Sequence, residues 1–207
     1  MSAPGFLFVT GSFWDEARQK QYSAALPPIY RQYDGAYVAL GAGAGVQVAE
    51  GLWHPRGLVF ARFASVDAVA RFWWSAEYRA AAQLRHGGGA FTVLGLAGQA
   101  EPQGPGGAYL FTLTRARARD AQRLAALTAR MDALARVHGG RMIVDAAANS
   151  LHPLEGSFFD TALVIQHWGS AQAQQAFLAD SAYAALAAER RALGDAVVLV
   201  RAGIEKA

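Results

Sequence analysis

The sequence predicts an α+β chain made of two tandem βαββαβ units, and three observations carry that reading. First, the 207-residue chain repeats itself. Moved by 105 positions without a gap, Phe6 falls on Phe111, Gly35 on Gly140, Glu50-Gly51 on Glu155-Gly156, Tyr78 on Tyr183 and Arg85 on Arg190. Alanine-rich segments match by chance, but Glu-Gly, Phe and Tyr in one ungapped register do not. Second, Gln99 to Gly107 (QAEPQGPGG) has the Pro and Gly of a linker. Third, strand-like and helix-like patterns follow one another in the same order in both copies. The domains are therefore placed at 1–98 and 108–207, joined by 99–107.

In the first copy, Gly5 to Thr10 is a short apolar, partly aromatic run suited to a strand. Asp15 to Tyr33 carries Tyr22, Leu26, Ile29, Tyr30 and Tyr33 at helical spacing and stops at the turn signal Asp34-Gly35. Ala36 to Leu40 is the next strand, followed by the glycine-rich Gly41 to Gly45 and by Val46 to Gly51. Gly57 to Phe63 is a third strand. Ser65 is a good N-cap for one long helix from Val66 to His86, ended by Gly87-Gly88-Gly89. Phe91 to Leu96 makes the fourth strand. This order is the split-βαβ or ferredoxin-like plan. Both helices cover one sheet face, so the other face needs a partner, and the second copy supplies one.

Composition bounds the rest. Hydrophobic residues make up 53% and charged residues 17%, enough for a substantial core and too apolar for a disordered chain. Gly, Pro, Arg or Asp interrupts every apolar stretch before it reaches membrane-spanning length, and no basic segment precedes the first apolar run. The absence of cysteine excludes disulfides, thiol catalysis and cysteine-ligated metal. A cytoplasmic location is expected, with no membrane partner. The formal charge of +3 rests on 19 basic against 16 acidic residues, and Arg115, Arg117 and Arg119 alternate along one side of an extended segment. That cluster lacks the interleaved aromatics of a nucleic-acid surface, so no nucleic-acid partner is expected.

The run from Glu50 to Tyr78 resembles a widespread bacterial family catalogued as a domain of unknown function. The resemblance rests on Glu50-Gly51, Trp53, a strand ending at Phe63, Ser65, an amphipathic helix and Ser75-Ala76-Glu77-Tyr78, with Ala76 where the family has proline. Tyr22, Gly35 and Tyr37 fit the same pattern upstream. The second copy keeps Glu155-Gly156, Ser170, Phe177 and Tyr183, but has Phe158 for Trp53, Met142 for Tyr37 and Leu127 for Tyr22. The resemblance implies the dimeric α+β-barrel group, alongside EthD-like proteins, antibiotic-biosynthesis monooxygenases and muconolactone isomerase. In that group two sheets close face to face around a shared pocket. The chain is thus expected to form an intramolecular dimeric α+β barrel from its two ferredoxin-like domains.

Candidate site residues come from the repeat and its asymmetry. Four of five tryptophans and five of seven tyrosines lie in the first copy. This excess has two readings: an aromatic-lined pocket formed by Trp53, Tyr37 and Tyr22, or ordinary core filling with an oligomer interface. Glu50 and Glu155 stand out in both the repeat and the family pattern. A carboxylate beside aromatic walls can act as a general base; the alternative is that Glu-Gly fixes a strand connection. Arg62 and His167 occupy equivalent positions on the third strand of each copy, on the face expected to line the shared barrel. There they could hold an enolate and move its proton, or reach solvent at the strand end. His54 is a further acid/base candidate beside Glu50.

Some barrels of the resembled group bind haem through a histidine. The five histidines here are scattered without ligand spacing, so no metal and no cofactor are expected. Gly41 to Gly45 lies between extended segments and does not open a helix, unlike a dinucleotide fingerprint. Two functions remain. One is a cofactor-independent enzyme of monooxygenase or isomerase type, acting through an enolate on a small organic acid or an aromatic or polyketide-like ketone. The other is a non-catalytic small-ligand-binding or stress-related module. A homodimer of the pseudo-dimeric chains is the expected higher assembly.

Overall fold

The computed structural model describes residues 3–42, 45–54, 57–147, 151–157 and 161–204. The first copy contributes β1 (Gly5–Phe13), α1 (Glu16–Gln32), β2 (Ala36–Ala42), β3 (Gln47–Glu50), β4 (Gly57–Phe63), α2 (Val66–Trp73), α3 (Ala76–Gln83) and β5 (Gly89–Ala97). The second contributes β6 (Ala108–Ala116), α4 (Ala121–Val137), β7 (Gly140–Ala146), β8 (His152–Glu155), β9 (Thr161–Trp168), α5 (Ala171–Ala179), α6 (Ser181–Leu193) and β10 (Gly194–Ala202). Two antiparallel sheets result, in the orders β2-β4-β1-β5-β8 and β3-β10-β6-β9-β7. Four strands of each sheet follow the ferredoxin-like order. The fifth comes from the other copy.

That exchange explains the paired Glu-Gly motifs. Gly51 follows β3 at φ +82°, and a Cβ there would stand 2.2 Å from the Ala196 carbonyl oxygen. Gly156 follows β8 at φ +74°, and a Cβ there would stand 2.5 Å from the Phe91 carbonyl oxygen. Each glycine lets the chain turn sharply against the strand it has just joined. The opposite sheet edges are capped symmetrically: the Gln99 amide donates to the Ile143 carbonyl, and the Ile204 amide to the Val38 carbonyl.

Strand alternation divides the core. Phe6, Phe8, Leu58, Phe60, Tyr109, Phe111, Leu163 and Ile165 point between the sheets and fill that space. Phe8 meets Phe111 at 5.6 Å and Phe60 meets Tyr109 at 5.7 Å between ring centroids, so the sheets pack face to face. Leu7, Ala61 and Phe63 point the other way, under the helices of the first copy. Leu110, Trp168 and Val198 do the same in the second.

The single helix expected over Val66 to His86 is two helices. Ser75 ends the first by donating to the Phe72 carbonyl at 2.7 Å and starts the next by accepting from the Tyr78 amide at 3.1 Å. A serine that satisfies groups on both sides of a break makes a second N-cap, which periodicity alone does not register. Asp180 starts α6 in the second copy in the same way, accepting from the Ala182 amide.

Candidate functional site

A cavity of about 540 Å³ lies between the helix-facing side of the first sheet and helices α1 and α3. Its floor is laid by Leu7 and Val9 of β1, Tyr37 of β2, Val59 of β4 and Val93 of β5. Tyr22, Leu26 and Tyr30 recur every four residues on α1, so one helix face supplies the roof, joined by Tyr78 of α3. Phe13 and Phe91, edge to face at 4.7 Å, close one end beside Arg85. The other end reaches Leu40, Gly41, Gly45 and Arg201.

The polar side chains lining this chamber are four tyrosines, Arg85, Arg201, Gln19 and Ser23. Tyr22 and Tyr78 share a hydroxyl–hydroxyl bond of 3.0 Å. Burial raises the hydroxyl pKa of Tyr22, Tyr37 and Tyr78 above the ordinary tyrosine value, and that of Tyr30 well above it. All four are therefore neutral phenols at physiological pH. The Arg85 guanidinium lies 4.5 Å from the Phe91 ring centre and 5.3 Å from that of Tyr22. It forms a two-pronged pair with Glu155, at 2.7 Å and 2.5 Å. Burial opposes the arginine's charge, but Glu155 and the neighbouring tyrosines hold its pKa above the ordinary value. No carboxylate or imidazole belongs to the described lining residues.

The candidates from the sequence fall into three groups. Tyr22 and Tyr37 line the cavity. Glu155 stands behind it, holding Arg85. Glu50 makes the equivalent bond across the pseudo-symmetric interface, to Arg190 at 2.6 Å and to Arg191 at 3.3 Å, on the second sheet. Trp53 packs against the core between the sheets, and His54 is exposed. Phe158, the counterpart of Trp53 in the second copy, lies outside the described residues.

Arg62 and His167 do face the space between the sheets by strand parity, yet side chains fill that space, and both residues bind the linker. Arg62 makes a two-pronged pair with Glu101. His167 is fully buried; its Nδ1 accepts from the Gln103 amide at 3.1 Å, so Nε2 carries the proton donated to the Gly106 carbonyl. Burial lowers the His167 pKa below the ordinary histidine value, and the Arg141 charge adds to the shift.

Sequence reasoning missed Arg85, Tyr30, Tyr78, Phe91 and Arg201 as lining residues. For Arg85 a signal existed. Arg85 and Arg190 occupy one repeat position, as do Glu50 and Glu155, and reciprocal exchange joins them into two ion pairs.

Among the described residues, the second copy has no chamber of equal volume. The position equivalent to the cavity keeps about 20 Å³, lined by Leu127, Met131 and Arg190 among others. Leu127, Ala135 and Met142 stand where the first copy has Tyr22, Tyr30 and Tyr37, and Ala196 replaces Phe91. The other end of the equivalent space is a groove of about 330 Å³ lined by Thr114, Ala118, Leu124, Thr128 and Ala162 among others, the repeat counterparts of Val9, Phe13, Gln19, Ser23 and Gly57.

Fold and site together define a tandem ferredoxin-like chain with an aromatic-walled chamber in its first copy. The chain belongs to the family described as Domain of unknown function (DUF1330), matched twice, over residues 4–98 and 108–204. No curated protein matches it. Among solved structures it is similar to an anthrone oxidase-like protein, with TM-score 0.61 and 16% identity over 99% of this chain and 92% of that one. It is also similar to a provisionally assigned monooxygenase from Fusobacterium nucleatum subsp. nucleatum ATCC 25586, with TM-score 0.60 and 9% identity over 100% and 94% of the two chains. A third, from Lactobacillus acidophilus NCFM and of the same provisional assignment, has TM-score 0.55 and 10% identity over 99% and 100%. At these identities the likeness is one of fold.

Proposed function

We propose that the chain binds one planar aromatic ketone or phenol in the first-copy chamber and acts on it through its enolate, as a cofactor-independent oxygenase or isomerase. The observation that carries this reading is the chamber of about 540 Å³ whose aromatic walls, Tyr78 apart, are replaced by aliphatic residues in the second copy. A volume of this size suits a small organic ligand, and flat rings stack on flat rings. The tyrosine hydroxyls are donors held in place before any ligand arrives, so they favour an oxyanion over the neutral ketone. The proton lost from the ligand carbon passes to water, because the described lining residues supply no base. The names of the structural neighbours, an anthrone oxidase-like protein and two provisional monooxygenases, agree with this choice of chemistry.

The missing base also favours a second reading, in which the chamber binds its ligand without transforming it. Anthrone distinguishes the two. An oxygenase converts its CH₂ to a carbonyl with one O₂ consumed, one oxygen entering the anthraquinone and the other leaving as water. Turnover above the uncatalysed rate, lost in Tyr22→Phe, supports the enzyme. Binding without turnover selects the module, and failure of planar aromatics to bind overturns both.

A further inference from the structure

We propose that the ligand of this chamber carries an anionic group, such as the carboxylate of an aromatic acid, seated on Arg201. This deepens the reading above and rests on it. Two arginines mark the ends of the chamber, and they are not equivalent. Arg85 is spent on Glu155, in a bidentate pair that neutralises its charge. Arg201 has no carboxylate partner among the described residues. Its Nε donates to the Leu40 carbonyl, leaving the two η-nitrogens for a further acceptor.

Two glycines, Gly41 and Gly45, stand against Arg201, with the Val46 side chain 2.4 Å from where a Cβ at Gly41 would lie. A Cβ at Gly41 would come within 3.1 Å of the Arg201 Cδ and 3.2 Å of its Nε, and one at Gly45 within 4.0 Å of its Cζ. The fold itself does not ask for arginine here. The repeat-equivalent position is Leu96, which is buried in the core between the sheets. The second copy's last strand instead carries a cation over the β2 edge into the first copy's chamber. From β2 to β5 is three strand spacings, or roughly 14 Å. An aromatic body of a few fused rings thus reaches from the stacked Phe13–Phe91 end to a carboxylate at Arg201, whose planar fork matches it.

The test uses two fluorescent probes of one shape, anthracene-2-carboxylate and the neutral 2-(hydroxymethyl)anthracene, titrated into the full chain. The wild type should bind the carboxylate about ten- to hundredfold more tightly than the alcohol, the scale of one charged hydrogen-bonded contact. Arg201→Met should bring the carboxylate down to the level of the alcohol. Added salt should weaken only the carboxylate in the wild type, which reads the same contact without a variant. Equal affinities in the wild type, or a preference that survives Arg201→Met, would overturn the assignment of Arg201 and leave the chamber standing. If neither probe binds, the chamber reading falls, and this one with it.

Discussion

Glu50 and Glu155 occupy one repeat position and play one part, pairing with arginine of the opposite copy: Arg190 and Arg191 for Glu50, Arg85 for Glu155. Their chemistry is first of all structural, and a stability measurement separates that role from catalysis. The Arg190 side chain is 4% exposed and that of Glu50 18%, so Glu50→Gln leaves a buried cation with a poorer partner. A loss of about 3 kcal/mol is expected in urea unfolding, with binding in the first-copy chamber intact. Unchanged stability with lost activity would return Glu50 to the chemistry. His167 gives a pH signature. Its folded pKa lies below the ordinary 6.5, because burial disfavours the imidazolium. The unfolded chain therefore takes up its proton first, so the His167 contribution is complete above pH 6.5 and is lost as pH falls below it. Urea midpoints from pH 8 to 5 should fall more steeply for the wild type than for His167→Asn; parallel curves would contradict the buried neutral histidine. At this scale the sequence exposed Tyr22 and Tyr37 through the difference between its copies. It hid Arg85, whose place in the site depends on a strand from the other copy.

Exchanged strands β3 and β8 are short, and each bonds to a strand far away in the chain: Val198 faces Glu50, and Val93 faces Glu155. Local pattern sees an extended segment there but not which sheet it joins, so Val46 to Gly51 is legible as extended and its destination is not. The glycines after these strands test the exchange. Gly51 combines φ +82° with a Cβ site 2.2 Å from a carbonyl, whereas Gly87, at φ +72°, has open space around it. Gly87→Ala should cost about 1 kcal/mol for the left-handed backbone alone, and Gly51→Ala clearly more, read from paired thermal melts. Equal costs would mean the β3 turn is not locked against β10. The helix break at Ser75 has a comparable check. Ser75→Ala should cost about 1 kcal/mol, as loss of an N-cap does.

Repetition is visible in the sequence across the whole molecule, and so is the ferredoxin-like order, because periodicity and turn residues are local signals. The location of the chamber is not. A face-to-face pair of sheets suggests a space between them, but Phe6, Phe8, Phe60 and Phe111 fill it. The opening is instead on the helix side, beneath Tyr22 and Tyr30 of α1 and Tyr78 of α3. The first copy holds the chamber while the second supplies Arg201 to its wall and Glu155 to Arg85, so the proposed site belongs to the fused pair and not to one copy alone. The most direct test of that claim is calorimetric titration with anthracene-2-carboxylate, comparing the wild type with one filled variant of each copy. Val59→Phe fills the floor of the first chamber, and Ala125→Phe fills the outer groove of the second copy. The expected result is one ligand per chain, lost in Val59→Phe and kept in Ala125→Phe. Two ligands per chain, or binding that survives Val59→Phe and fails in Ala125→Phe, would contradict it.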